Sequence, residues 1–368
     1  MLCIYILSKI RFGARLESDI GLDNLELSKM KRYFRRLPVD HRYTRGCAPM
    51  SQDIERYLQA SIRANTRRSY KQALDHYEVT YGGFLPATSD AIVRYLVDHA
   101  STLSSNTLKL RLAALAQWHV SHGFPDPTKT PLVRQIVKGI RTLHPRQEKQ
   151  AEPLQLRQLE QCVQGLEVAE RRARAENDWP RLLRCSRDRA LVLIGFWRAF
   201  RSDELCRLRV EHIQVRAGEG MQLFLPWSKG DRDNHGQTFS APALAKLCPV
   251  QAYVDWISLA GIARGPVFRG IDRWGHLGEQ GLHPNSVVTL LRGVLQLAGL
   301  SPEFYSSHSL RRGFATWATR SGWDLKTLMQ YVGWSDGKSA LRYVDSMGGF
   351  PGQLSALQLI PGRPERLP

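Results

Sequence analysis

Carboxylates are in short supply in this chain: 34 Asp and Glu stand against 52 Lys and Arg, a formal charge of +18 over 368 residues. Because 43% of the residues are apolar, a core can still form, so the imbalance marks a folded protein with a polyanionic partner. Nucleic acid and an anionic membrane surface both qualify. Cysteine is equally sparse. Cys3, Cys47, Cys162, Cys185, Cys206 and Cys248 are scattered with no CxxC pair, which argues against a zinc ribbon or a disulfide framework and fits a reducing cytoplasm. There is no HExxH, no convincing acidic pair and no Cys/His ligand spacing, so nothing in the sequence asks for a metal. The opening "MLCIYILSKIRF" has an apolar run too short to span a bilayer. It also lacks the preceding charge and following small-residue site of a signal peptide.

What is present divides in two, as expected of a chain longer than one core usually organises. Residues 1–50 carry "KMKRYFRRLPVDHRYTRG" without sustained periodicity, which reads as a flexible basic arm or as sequence upstream of a start at Met50. Residues 51–143 read as a small helical bundle. "SQDIERYLQASI" is followed by "TRRSYKQALDHYEVTYGG", with Thr66 placed to cap and Gly82 to stop, and by "TSDAIVRYLVDHAS". "SSNTLKLRLAALAQWHVSHG" is bounded by Ser105 and Gly123, and a last helix opens at Pro131, a favoured first position. Arg63, Arg67, Arg68, Lys71, Lys109 and Arg111 gather on this bundle, as an ordinary solvated face or a DNA-contacting one. The polar, proline-flanked 144–153, "HPRQEKQAEP", reads as a linker.

From 154 to 348 the pattern is helix, short strands, then helices. "RDRALVLIGFWRAF" is a strongly apolar helix, and "RSDELCRLRVEHI" restarts one with Ser202 as cap. "MQLFLPW" and "QTFSAP" read as two strands around the turn "SKGDRDNHG", which places Lys229 at or near a hairpin tip. Helices ending in glycine follow. The expected fold is mainly α with a small antiparallel sheet (α+β), and there is no internal repeat or βαβ alternation. Residues 349–368 form a tail in which "GQLSALQLIPG" is short and apolar.

The stretch "QYVGWSDGKSALRYVD", 330–345, superficially resembles a phosphate loop. Only three residues separate Gly333 from Gly337 where such a loop needs four, and the preceding "DLKTLMQYV" is helical rather than extended. Gly333 is better explained as a helix stop.

A wider constellation includes the same stretch. Arg201 precedes Glu204 by three residues; Lys229 lies on the hairpin; His308 precedes Arg311 by three and so shares a helical face with it; then come Trp334 and Tyr343. The blocks "FRSDELCRLRVEHI", "WSKGD", "HSLRRGFATWATRSGWDLKTLMQYVGW" and "SALRYVD" resemble the tyrosine recombinase (phage integrase) family, closest to its Cre-type pattern, over roughly 51–345. The resemblance implies a helical core-binding domain at 51–143 that clamps DNA and a catalytic domain at 154–348. It further implies that Tyr343 is the nucleophile, that Arg201 and Arg311 grip the scissile phosphate, and that Lys229 is the general acid for the leaving 5′ oxygen. His308 becomes a proton-transfer partner and Glu204 a supporter of the site. Trp334 stands where the commoner pattern has a second His; its indole NH can donate a hydrogen bond but cannot shuttle a proton.

Phosphate chemistry suits these residue types. Attack on a phosphodiester adds charge to its non-bridging oxygens, and fixed guanidinium forks can hold that charge where other enzymes use metal ions. A phenol of ordinary pKa about 10 gains phenolate character beside cations. The expected enzyme therefore needs neither metal nor ATP and no cofactor, and forms a covalent 3′-phosphotyrosine intermediate. Its partners would be a specific duplex DNA site, bound through salt-sensitive phosphate contacts, three further copies in a tetrameric synapse, and accessory DNA-bending proteins. The location implied is the bacterial cytoplasm, on the nucleoid, in the service of a mobile genetic element. Two alternatives stay open: a non-catalytic protein, since "GFATWATRSGWDLKTLMQYVGW" also scans as helix, turn, helix, and a type IB topoisomerase.

Overall fold

The computed structural model describes residues 56–57, 62–145, 150–216, 218–227, 235–334, 337 and 341, and the chain separates into two compact units at Gln147/Glu148. The expected helix over "SQDIERYLQASI" lies mostly outside the described residues, as do the turn bearing Lys229 and the segment bearing Tyr343.

The first unit contains α1 (Ala64–Asp75), which runs on into a π-turn at His76–Thr80, then α2 (Ser89–Asp98), α3 (Ser105–Ser121) and α4 (Pro131–Leu143). Side-chain oxygens open two of these: Thr88 accepts from the Ala91 amide and Ser104 from that of Thr107. Two expected caps move by a residue or more. Ser105 is the first helical residue, its neighbour Ser104 having the extended backbone a cap requires, and Thr66 lies inside α1, whose extended N-cap is Arg63. Tyr77, Ile92, Tyr95, Leu96, Leu108, Leu115, Val133 and Ile140 meet in the core.

The second unit is arranged around α6 (Trp179–Trp197), buried at every position from Ala190 to Trp197. A helix apolar all round has to be covered on all sides, and α5 (Leu156–Ala175), α8 (Pro249–Ala260), α9 (Ser286–Leu297) and α10 (His308–Arg320) pack on it. The remaining elements are α7 (Ser202–Cys206), α11 (Leu325–Val332), and strands β1 (Ile213–Arg216), β2 (Gly220–Leu225), β3 (Gln237–Pro242), β4 (Arg269–Ile271) and β5 (Leu277–Gly281). β1, β2 and β3 form one antiparallel sheet in that order, with Leu223 opposite Phe239 and Leu225 opposite Gln237. Alternation along β2 buries Met221, Leu223 and Leu225 and exposes Gln222 and Phe224. β4 and β5 make a separate two-stranded hairpin.

The pattern of "RSDELCRLRVEHI" predicts a helix along its length. The structure ends it at Cys206, follows with a short 3-10 turn at Val210–His212, and then enters β1. Ladder bonds from β2 take over there, so tertiary pairing overrides local propensity. The end of the expected linker is also fixed: the Glu152 amide donates to the Phe304 carbonyl at 2.8 Å and that of Leu154 to Ser309 at 3.0 Å, with Leu154 fully buried.

That strap explains Gly313 in the middle of α10. A Cβ there would collide with the Leu154 carbonyl oxygen. Gly313→Ala is therefore expected to destabilise this unit by about 2–3 kcal/mol, the overpacking penalty outweighing the better helix propensity of alanine. Thermal melting checks this, and an unchanged midpoint would place the strap elsewhere.

Candidate active site

α6 stops at Trp197, and the chain turns sharply to start α7. Ala199 makes the turn with φ of +49°, in the left-handed region that side chains avoid, while fully buried. The turn aims its carbonyl at Arg311, whose Nη1 donates to it at 2.7 Å. Two residues later Arg201 is the N-cap of α7, and Glu204 on the first turn reaches back to it. Glu204 Oε2 accepts from the Arg201 amide at 2.8 Å, and Oε1 accepts from Arg201 Nη1 at 2.7 Å. One carboxylate thereby caps the helix and holds the guanidinium.

Glu204 also faces Arg311, with Oε2 3.8 Å from Nη1. Both groups are buried, while the Arg201 side chain keeps 26% of its surface open. A buried carboxylate between two guanidiniums satisfies the electrostatics of each and locks their planes. Arg311 has its guanidinium carbon 5.1 Å from the ring centroid of Trp334, itself 7% exposed. Trp334 is delivered by the end of α11, where Gly333 adopts a left-handed conformation and the Trp334 amide donates to the Met329 carbonyl at 2.9 Å. A side chain at Gly333 would press on Gln237 at 3.2 Å and Phe239 at 3.3 Å, so glycine both turns the chain and lets it approach β3. Gly333 is thus a helix stop, as the helical run before it predicts.

Arg201, Glu204, Arg311 and Trp334 therefore converge from three distant segments. His308 is the first residue of α10 and exposed, its amide donating to Ser306 Oγ at 3.2 Å. Lys229 lies beyond the end of β2, outside the described residues, as does Tyr343. In the first unit Arg63, Arg67, Arg68, Lys71 and Lys109 are exposed, whereas Arg111 is half-buried and donates to the Tyr95 hydroxyl at 2.7 Å. His76 Nδ1 meets the same hydroxyl at 3.1 Å, and burial followed by the Arg111 charge lowers the His76 pKa.

Two further arginines escape a sequence reading. Arg207 lays its guanidinium 3.5 Å from the ring centroid of Trp227 and donates to the Trp227 carbonyl and the Asp203 carboxylate. That clamps the chain just past β2, two residues before Lys229. Arg198 is the other, 2% exposed inside an apolar run; its only sequence signal is the apolar neighbours on both sides. Among the described residues no helix is long and apolar enough to cross a membrane, and no three His, Cys, Asp or Glu side chains gather as an ion would need.

The fold thus sets two arginines around one buried carboxylate. Comparison with known proteins gives the class of the protein. The profile of the Phage integrase family matches residues 184–348, a span containing Arg201, Lys229, Arg311, Trp334 and Tyr343. An integrase/recombinase xerD homolog of Selenomonas ruminantium is 31% identical over 315 residues, covering 80% of this chain and 86% of the relative. Among solved structures, the XerH site-specific recombinase in a post-cleavage complex with palindromic difH substrate aligns with a TM-score of 0.53 at 16% identity, over 76% of each chain. A lambda integrase dimer bound to a COC′ core site aligns with a TM-score of 0.52 at 16% identity, over 83% of this chain and 98% of the other. The chain belongs to the phage integrase family. It is a site-specific tyrosine recombinase, an enzyme that breaks and rejoins DNA, with the mainly helical fold and small antiparallel sheets of that family.

Proposed function

We propose that the reaction centres on Tyr343, with Arg201, Arg311 and Trp334 holding the non-bridging oxygens of the scissile phosphate. Glu204 keeps the two guanidiniums in register. The phenol proton passes to His308; phosphorus gains the Tyr343 oxygen as its bond to the 5′ oxygen breaks; Lys229 protonates that departing oxygen. Reversal by the 5′-hydroxyl of another strand reseals the backbone, because the phosphodiester is conserved in the tyrosine link. The observation that carries this reading is the Arg201–Glu204–Arg311 bridge with Trp334 against it. Such preorganised donors favour charge that develops in the transition state and need no reorganisation when it does.

In the same reading residues 51–143 are the core-binding domain and 154–348 the catalytic domain, which close on duplex DNA. The exposed Arg63, Arg67, Arg68, Lys71 and Lys109 supply sequence-independent phosphate contacts. Arg111, bonded to Tyr95, orders the bundle as well. Four protomers assemble on two sites, with accessory DNA-bending proteins where the sites require them. The setting is the bacterial cytoplasm, on the nucleoid, and the gene is carried by a mobile genetic element.

The test is a nicked DNA site whose cleavage releases a short fragment and so cannot be reversed. Wild-type protein should accumulate a DNA-linked band on a denaturing gel, and its absence would sink the proposal. Exchange between two sites, scored against plasmid relaxation, separates recombination from topoisomerase action.

A further inference from the structure

Arg198 precedes Arg201 by only three residues, but its side chain makes a different set of contacts. Nη1 donates to the Ser240 carbonyl of β3 at 2.9 Å and Nη2 to the Tyr331 carbonyl of α11 at 2.6 Å. The guanidinium carbon stands 3.9 Å from the Tyr331 ring centroid and 5.1 Å from that of Phe239. The Tyr331 hydroxyl donates in turn to the Trp197 carbonyl at 2.9 Å. One side chain thus joins the end of α6, strand β3 and the last turn of α11. Those segments lead respectively to Arg201, to the hairpin return, and to Gly333 and Trp334.

For stability alone this is a poor use of the space. A buried cation is costly unless it is paired. Arg198 Nε has no hydrogen-bond partner among the described residues, and burial pulls the guanidinium pKa below the usual arginine value. Tyr331 and then the charge of Glu204 oppose that pull, and Glu204 already serves Arg201 and Arg311. What Arg198 supplies that an apolar residue could not is geometry. It takes up one of the orphan carbonyls at the end of α11 and ties it to β3 through a planar fork, while Tyr331 fixes the plane of that fork by stacking.

We propose that Arg198 is a positioning residue: it sets Trp334 and β3 against the Arg201–Glu204–Arg311 bridge without touching DNA, so that cleavage depends on it and DNA affinity does not. This rests on reading Arg201, Arg311 and Trp334 as the phosphate-holding set. A residue that only supported the fold would lower binding and cleavage together, in proportion to the protein left folded.

The experiment uses the full chain with Arg198→Lys, which keeps the cation but cannot span both carbonyls. Single-turnover cleavage of the nicked site at saturating DNA is compared with the dissociation constant from gel shifts. The expected result is a cleavage rate lowered roughly 10–100-fold with affinity within about twofold of wild type, as for an interaction felt only in the transition state. Tyr331→Leu removes the stacking surface and leaves Arg198 in place; it should give the same split, more weakly, and it carries the test if Arg198→Lys does not fold. Wild-type cleavage in whichever variant folds, or equal loss of binding and cleavage, overturns the proposal. If wild-type protein forms no covalent complex, or Tyr343→Phe forms as much, the reading of the site fails and this proposal with it. If wild type cleaves, Tyr343→Phe does not, and Arg198→Lys is unimpaired, only the role of Arg198 is lost.

Discussion

Tyr343→Phe is expected to abolish the covalent DNA–protein complex while leaving DNA affinity within about twofold of wild type, because the substitution removes only an interaction made after binding. Phenylalanine keeps the ring and whatever that ring packs against. It lacks the oxygen that has to bond to phosphorus, and neither Arg201, Arg311 nor Trp334 has a side chain that can attack in its place. Arginine is never deprotonated in proteins, and an indole NH is a donor only. The measurement is a denaturing gel of end-labelled nicked site alongside a gel shift with the intact site. A band of wild-type intensity from Tyr343→Phe would move the nucleophile to another residue. Loss of binding together with the band would make Tyr343 a structural aromatic.

The proposal for Tyr343 rests on its order in the chain after Arg201, Lys229, His308 and Arg311, whereas the fold was legible to different degrees. Glycine stops were readable: Gly261 and Gly333 both end helices in the left-handed conformation, with φ of +62° and +71°, which only a residue without Cβ adopts freely. The β2–β3 hairpin was readable because "MQLFL" alternates in step with its burial. β1, β4 and β5 were not, since each is short and owes its existence to a partner strand. Ser202 and Glu204 show how local logic stops half-way. A carboxylate on the first turn of a helix is expected on dipole grounds alone, and Glu204 does accept from the Arg201 amide, so it and not Ser202 makes the capping bond. That the same carboxylate also faces Arg311 depends on α10 packing beside α6, which no spacing within "RSDEL" encodes.

The residues that escaped reading share one cause. Arg198 and Arg207 each bond to carbonyls far along the chain, Tyr331 for one and Trp227 for the other. In a basic protein an arginine in the sequence carries no mark of burial. Ala199 is more opaque still, since its left-handed backbone goes against residue preference. Strain of this kind persists where surrounding packing over-determines it; here Arg311 closes the turn from one side and Glu204 from the other.

Arg311→Ala is expected to slow cleavage by roughly 10³-fold at saturating DNA, the scale set by losing a fixed donor or an arginine finger at a reacting phosphate. Arg311→Lys should recover little of this. A lysine ammonium is a point charge that cannot hold the Ala199 carbonyl and also present a planar fork to two phosphate oxygens. Part of the defect in either variant would be structural, because Glu204 stays buried with one partner fewer. A substrate change separates the two contributions. In a methylphosphonate at the scissile position a methyl group replaces one non-bridging oxygen and the linkage is neutral, so there is no ground-state anion for Arg311 to balance. If Arg311 acts on phosphate charge, Arg311→Ala should cleave that neutral site at a rate much closer to wild type than it cleaves the natural one. An equally large defect on both substrates would mean that Arg311 works only by holding the Ala199 turn and Glu204 in place.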